Sequence, residues 1–270
     1  MLKGLTMCEF CGTMADERIY TSGKSPNGGT MLSLDRISFS VETEQGRNQI
    51  LKDVSFTIDK PFTVITGPNG GGKSTLAKII SGIYTPDSGK IYFNGQDITD
   101  LGVTERARLG VSYAFQTPVR FKGITVSDIL KIAAGRDLSV SEACAFLSNV
   151  GLCARDYLDR EINNSLSGGE LKRIEIATVL ARQTPLAVFD EPEAGIDLWS
   201  FGSLIKVFEN MRDTVNGSIV IISHQERIMN IADHIVVISA GQVERQGKKD
   251  EILPYLFRND ATCDVLKDKV

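Results

Sequence analysis

The stretch Gly67-Pro68-Asn69-Gly70-Gly71-Gly72-Lys73-Ser74-Thr75 decides how the rest of the chain is read. It fits G-x-x-x-x-G-K-[ST], with Gly67, Gly72, Lys73 and Ser74 at the fixed places. Residues 62–66 before it (Phe-Thr-Val-Ile-Thr) read as a buried strand, and residues 75–82 after it read as a helix start. The glycines permit a tight turn whose backbone N–H groups point inward at an anion. The following helix adds the positive end of its dipole. Lys73 brings a mobile charge to the outer phosphates, and the Ser74 hydroxyl can ligate a magnesium ion. A glycine-rich turn that only joins strand to helix is the plain alternative, and the agreement of strand, loop and helix argues against it. The loop implies a nucleotide and leaves the reaction open.

The chain has 270 residues and is 42% hydrophobic, enough for one large core or one core with an insert. A formal net charge of -4 gives no argument for nucleic acid. The longest apolar runs, such as 219–222 and 235–238, fall far short of the ~18 residues of a membrane span. No direct membrane insertion is expected, so work at a membrane would need a partner to hold the protein there. The N-terminus lacks an apolar core of secretory-signal length. The five cysteines, Cys8, Cys11, Cys144, Cys153 and Cys263, are odd in number and show no framework spacing. That usage points to a reducing cytoplasm.

Residues 1–30 are polar and rich in Gly and Ser without helical or strand period, and read as a disordered leader. Met31 is a second candidate start. Cys8 and Cys11 make one C-x-x-C without a second pair or a His partner, which argues against a metal site. Residues 31–60 read as β-rich, with strands over 32–41 and 50–58 around a polar turn at Glu44-Gln45-Gly46. A strand follows over 90–93, then a polar stretch to Arg108, then a short apolar strand over 111–115 ending at Gln116. Helices over 126–134 and 141–150 read as an inserted subdomain, spanning about 117–167. Residues 168–182 make one strong helix, with Leu171, Ile174, Ala177 and Ala181 on one face. Lys172, Arg173, Glu175 and Arg182 fall largely off that face. Strands and helices alternate from there to residue 238, which argues for a parallel sheet covered on both faces.

Residues 186–189 are an apolar strand running into Asp190-Glu191. In open α/β sheets ligands sit at the carboxyl ends of strands. Two adjacent carboxylates there can divide the work. Asp190 can hold magnesium, directly or through water, and Glu191 can polarise the water that attacks a γ-phosphate. Leu166-Ser167-Gly168-Gly169-Glu170 places a Ser and two glycines at a helix start, which leaves bare N–H groups and a hydroxyl facing outward. One nucleotide does not need two phosphate cradles in one chain, so the second is read as serving a neighbour's nucleotide.

The phosphate loop, Gln116, residues 166–170, residues 186–191, Gly195-Ile196-Asp197 and His224 occur in the order of the ATP-binding-cassette ATPases, which this chain resembles from about residue 31 to 257. The resemblance implies an α/β P-loop NTPase fold with a mixed β-sheet core, an antiparallel β subdomain, an inserted helical subdomain and a tail over 258–270. It implies that Gln116 reaches the magnesium and the attacking water and senses the partner. It also implies that Ser167, Gly168, Gly169 and Glu170 close on ATP held by the opposite subunit, that Asp197 lies at the dimer seam, and that His224 contacts the γ-phosphate. ATP and Mg2+ are then the ligands, and an ATP-dependent homodimer is the assembly.

Residues 157–163 (Tyr-Leu-Asp-Arg-Glu-Ile-Asn), residues 168–176 and residues 115–123 resemble the SufC-type ATPase of iron–sulfur cluster assembly. Val41 stands where many transporter cassettes place an adenine-stacking aromatic, and Glu193 where they carry a small hydroxyl residue; both agree with the SufC-type pattern. Pro192 and Ala194 look more like a generic cassette. This resemblance implies a SufB-like scaffold as partner, with a SufD-like protein beside it. The alternatives are the motor subunit of a membrane transporter and a nucleotide-gated interaction module with negligible turnover.

Overall fold

The computed structural model describes residues 32–44, 46–196, 198–214 and 217–260. The leader with Cys8 and Cys11, the Met31 start, Asp197 and residues 261–270 lie outside the described residues. The described chain divides into two compact units.

The larger unit holds two sheets. Strands β1 (Leu32–Thr43), β2 (Gly46–Ile58), β4 (Ser88–Phe93) and β5 (Gln96–Asp97) form an antiparallel sheet in the order β2-β1-β4-β5. The second sheet runs β10-β9-β3-β8-β7-β6. It is built from β3 (Phe62–Thr66), β6 (Val111–Ala114), β7 (Leu186–Asp190), β8 (Ser218–Ile222), β9 (His234–Ser239) and β10 (Gln242–Lys248). Strand β3 pairs parallel with β8 and β9, and β7 pairs parallel with β8, while β10 turns back antiparallel to β9. The sheet is therefore mixed, its antiparallel edge arising from a strand the alternation of residues did not reveal. Every residue of β3, β7 and β8 is buried, which is why 186–189 and 219–222 read as unbroken apolar runs rather than alternating ones, while β3 also buries Thr63 and Thr66.

Helix α1 (Lys73–Ile80) packs on this sheet through Leu76, Ala77, Ile79 and Ile80. Its far end is closed from the side. Arg106, on the short helix α2 (Val103–Arg108), is 1% exposed and donates to the carbonyls of Ile79, Ile80, Thr99 and Leu101. Burial pulls its pKa down to about 10, so it stays charged at pH 7 and faces the negative end of the α1 dipole. This helix end lies in what the sequence shows only as a polar stretch.

The second unit, built from residues 114–185 and 193–216, is rich in helices. Helices α3 (Val126–Ala134), α4 (Val140–Asn149) and α5 (Ala154–Tyr157) precede α6 (Gly168–Arg182), and α7 (Leu198–Thr214) follows. Capping boxes start α3 (Thr125 with Asp128) and α4 (Ser139 with Glu142). The chain over 158–162 then bonds along 121–127, with the Val126 and Ser127 N–H groups donating to the Arg160 and Leu158 carbonyls.

Helix α6 corrects one sequence expectation. Leu171, Ile174, Ala177 and Ala181 are buried as expected, but so are Ile176, Val179, Leu180 and Lys172, the last with 0% exposure. The helix is packed on more of its circumference than one apolar stripe, leaving Arg173, Thr178 and Arg182 outside the core, so the periodicity that sorts a surface helix misplaces its lysine. Helix α8 (Glu226–Asn230) and helix α9 (Lys249–Asp260) complete the described chain. No helix among the described residues is long and apolar enough to cross a membrane.

Replacing Arg106 by Met should leave four carbonyls to find other partners. We expect a loss on the order of 3 kcal/mol, read as a lower denaturant midpoint with unchanged slope.

Candidate functional site

The phosphate loop leaves β3 at Gly67 and enters α1 at Lys73. Gly67, Gly70 and Gly72 all have positive φ, at 130, 76 and 100°. At Gly67 the requirement is absolute: a Cβ there would lie 2.0 Å from the Ile238 carbonyl oxygen. The loop is tied down by the Gly71 N–H to the Pro68 carbonyl and by the Gly241 N–H to the Gly71 carbonyl. Pro68, Asn69 and Gly70 are exposed at its rim, and Thr75 sits half-buried in the first turn of α1. Lys73 Nζ lies across the loop, donating to the carbonyls of Gly67 and Pro68 at 2.8 Å each. Burial lowers its pKa, and the nearby Glu191 and Asp190 carboxylates oppose that shift.

Asp190, at the carboxyl end of β7, is 1% exposed. Its Oδ1 accepts from the Ser74 hydroxyl at 3.0 Å and its Oδ2 from the Tyr113 hydroxyl at 2.9 Å. The hydroxyl and carboxylate at the loop's inner end form a hard-oxygen donor set of the kind magnesium takes. Ser74 and Asp190 would hold the ion, which when bound would neutralise phosphate charge. Tyr113 was not legible as a site residue; it sits inside an apolar strand and matches no motif.

Glu191 follows in a left-handed conformation, φ 45°, a position that costs a non-glycine residue on the order of 1 kcal/mol. Its N–H donates to the Ile222 carbonyl at 3.0 Å, which anchors the turn to β8. Its Oε1 lies 3.5 Å from Nε2 of His224, which follows β8 as the sequence order requires. Burial, and then the Lys73 charge, push the His224 pKa below the usual histidine value, with Glu191 pulling the other way. At pH 7 the imidazole is neutral. Lys73, Ser74, Asp190, Glu191 and His224 thus converge at the carboxyl ends of three adjacent parallel strands.

The second stretch lies in the helix-rich unit. Ser167 caps α6, and the box is reciprocal: the Ser167 hydroxyl accepts from the Glu170 N–H at 3.2 Å and Glu170 Oε2 accepts from the Ser167 N–H at 2.7 Å. The hydroxyl is therefore turned onto its own helix rather than left bare, a correction to the outward-facing expectation. Gly168 remains exposed and Gly169 half-buried. Glu170 is held from behind by the Tyr157 hydroxyl at 2.6 Å and by Arg160 at 3.3 Å, with the Arg160 guanidinium also 5.0 Å above the Tyr157 ring. The Tyr157 hydrogen bond, then the Ser167 N–H, hold the Glu170 carboxyl at a pKa of about 2. Gln116 is exposed just past the end of β6.

A mixed sheet whose first parallel strand opens into this loop and helix defines a P-loop nucleoside-triphosphatase fold. The family model described as ABC transporter matches residues 51–194, and the chain belongs to that family of ATP-binding cassettes, as an ATPase. An uncharacterised ABC transporter ATP-binding protein of Methanocaldococcus jannaschii is 39% identical over 228 residues, covering 81% of this chain and 91% of the relative. A probable ATP-dependent transporter, ycf16, of Antithamnion sp. is 32% identical over 242 residues, covering 83% and 94%. A solved ATP-binding cassette, dimeric and bound to ADP and phosphate, superposes with a TM-score of 0.73 at 23% identity, covering 81% of this chain and 99% of that one. At that identity the likeness speaks to the fold alone.

Two outcomes test this geometry. Gly67→Ala should cost on the order of 3 kcal/mol and abolish retention on immobilised ATP, since the new methyl meets backbone; normal retention would contradict the loop described. The His224 imidazole, followed by NMR, should titrate below the usual value of about 6.5. Glu191→Gln should lower that midpoint further, because a charge favouring the imidazolium is gone, and Lys73→Ala should raise it.

Proposed function

We propose that this ATPase drives conformational change in an iron–sulfur cluster assembly scaffold of the SufB type, alone or beside a SufD-like protein, as a SufC-type subunit in the cytoplasm. The observation that carries the subfamily reading is the Tyr157–Arg160–Glu170 cluster. It joins in space two separate stretches, 157–163 and 168–176, on which the SufC-type resemblance rests. The exposed side chains of Phe115, Val119 and Phe121 beside Gln116 offer a scaffold an apolar foothold.

The chemistry divides among the residues in the site. Gly67 to Thr75 wrap the phosphates, with Lys73 exchanging its loop carbonyls for phosphate oxygens. Ser74 and Asp190 would hold Mg2+, with Gln116 as the further ligand that the cassette resemblance implies. Glu191 takes a proton from the attacking water, and His224, neutral, donates to the γ-phosphate. The second half of the site comes from another copy: the tip Ser167, Gly168, Gly169 and Glu170 closes on ATP held by the first copy, and Asp197 lies at the seam. Gly168 and Gly169 present their helix N–H groups, and the Ser167–Glu170 capping box holds the tip in shape. ATP completes the interface, so the pair closes with it and reopens after hydrolysis. The cassette with the same fold described above is dimeric, with ADP and phosphate bound.

A second reading, the motor of a membrane transporter, is favoured by the name of the M. jannaschii relative. Affinity purification from cell extract separates the two. Recovery of a scaffold without membrane spans supports the assembly role, and recovery of a membrane permease overturns it.

Glu191→Gln should retain ATP binding and slow hydrolysis ~10²–10⁴-fold. In that background, sedimentation should show a monomer without ATP and a dimer with it. Lys73→Ala should weaken nucleotide binding through lost charge-assisted contacts. An unchanged turnover in the first variant, or unchanged affinity in the second, would remove that residue from its role.

A further inference from the structure

Lys172 is fully buried in the helix-rich unit, in the second turn of α6 behind the Ser167–Glu170 tip. Its Nζ donates to the Phe115 carbonyl and lies 3.5 Å from the Gln116 carbonyl. Its counter-ion is Glu175, with Nζ 3.1 Å from Oε2. The other oxygen of Glu175 accepts the Phe115 N–H at 2.8 Å. The two charges therefore grip one residue of main chain at both its polar groups, the base on the carbonyl and the acid on the N–H. That segment belongs to no helix or strand, since β6 ends at Ala114, and the side chains of residues 115–117 are exposed. A buried ion pair contributes little net stability over an apolar pair of the same size. What this one supplies is a fixed place for the peptide from which Gln116 projects.

We infer that Lys172 and Glu175 are positioning residues for Gln116, locking its main chain to the helix that presents Ser167–Glu170, so that the two move as one body. The inference rests on the roles proposed above for Gln116 and for the tip. It makes each subunit rigid between the glutamine that serves its own nucleotide and the serine–glycine tip that serves the other copy's. Burial raises the Glu175 pKa and the Lys172 charge opposes this, so a neutral residue at 172 favours a protonated, neutral Glu175 rather than a stranded charge.

The test uses the full chain in three variants, Lys172→Met, Gln116→Ala and their combination, with two readouts. Amide hydrogen exchange at Phe115 should accelerate about tenfold in Lys172→Met while protection within α6 stays as in the wild type. In steady-state hydrolysis, Lys172→Met should lower kcat roughly tenfold with nucleotide affinity within about twofold. It should cost nothing further when Gln116 is already Ala, as expected of a residue acting through another. Unchanged exchange at Phe115, or losses that multiply in the combined variant, overturns the inference. Wild-type turnover in Gln116→Ala alone overturns the role of Gln116, and the inference with it, before any Lys172 variant is made. Should Lys172→Met not fold, Lys172→Met with Glu175→Gln removes both charges and carries the same two readouts.

Discussion

Parallel pairing places Asp190 level with Ile222 on β8, and Ile222 level with Ile65 on β3. Three strands buried on both faces therefore end together, and whatever follows each one is delivered to the same place. The loop with Lys73 follows β3, Glu191 follows β7 and His224 follows β8. Slipping one strand by a residue would turn its side chains to the other face of the sheet. Burial on both faces forbids that slip, and so the core, not the loops, aligns the charged groups.

The aligned groups constrain each other electrostatically. A buried lysine would lose its proton more easily, but two carboxylates beside it favour its charge. A partly buried histidine beside that lysine stays neutral at pH 7. The result is a site with one cation, two acids and one neutral donor–acceptor, matched to a substrate of high negative charge. Both carboxylate oxygens of the buried Asp190 have a partner, the Ser74 hydroxyl on one and the Tyr113 hydroxyl on the other. Tyr113 thus does for the acid what a solvent shell would do at the surface.

Helix α6 shows a different use of burial. Its N-terminal tip is exposed while its body carries an ion pair inside the helix-rich unit. The same helix is held at its first turn by Tyr157 and Arg160 through Glu170, and in its second by Lys172 through the chain at Phe115. Two charged anchors, one per turn, fix both the direction and the depth of the tip. Gly168 and Gly169 contribute no side chains that could hold it, which is why the anchoring falls to residues on either side.

Much of this was written in the residue order. The glycine pattern of residues 67–72 supplies the positive φ that Gly67, Gly70 and Gly72 adopt, and between a strand and a helix it is the pattern of a phosphate-binding turn. Unbroken apolar runs ending in Asp190-Glu191 and just before His224 declared buried parallel strands, because strands covered on both faces do not alternate. Tertiary structure alone decided the contacts that join residues far apart in the chain: Tyr113 with Asp190, Tyr157 with Glu170, and Lys172 with the Phe115 carbonyl. It also decided that Lys172 is inside and that the Ser167 hydroxyl folds onto its own helix. Periodicity sees one helix at a time, whereas burial depends on how many neighbours surround it, and a charge is admitted inside only where those neighbours carry its partners.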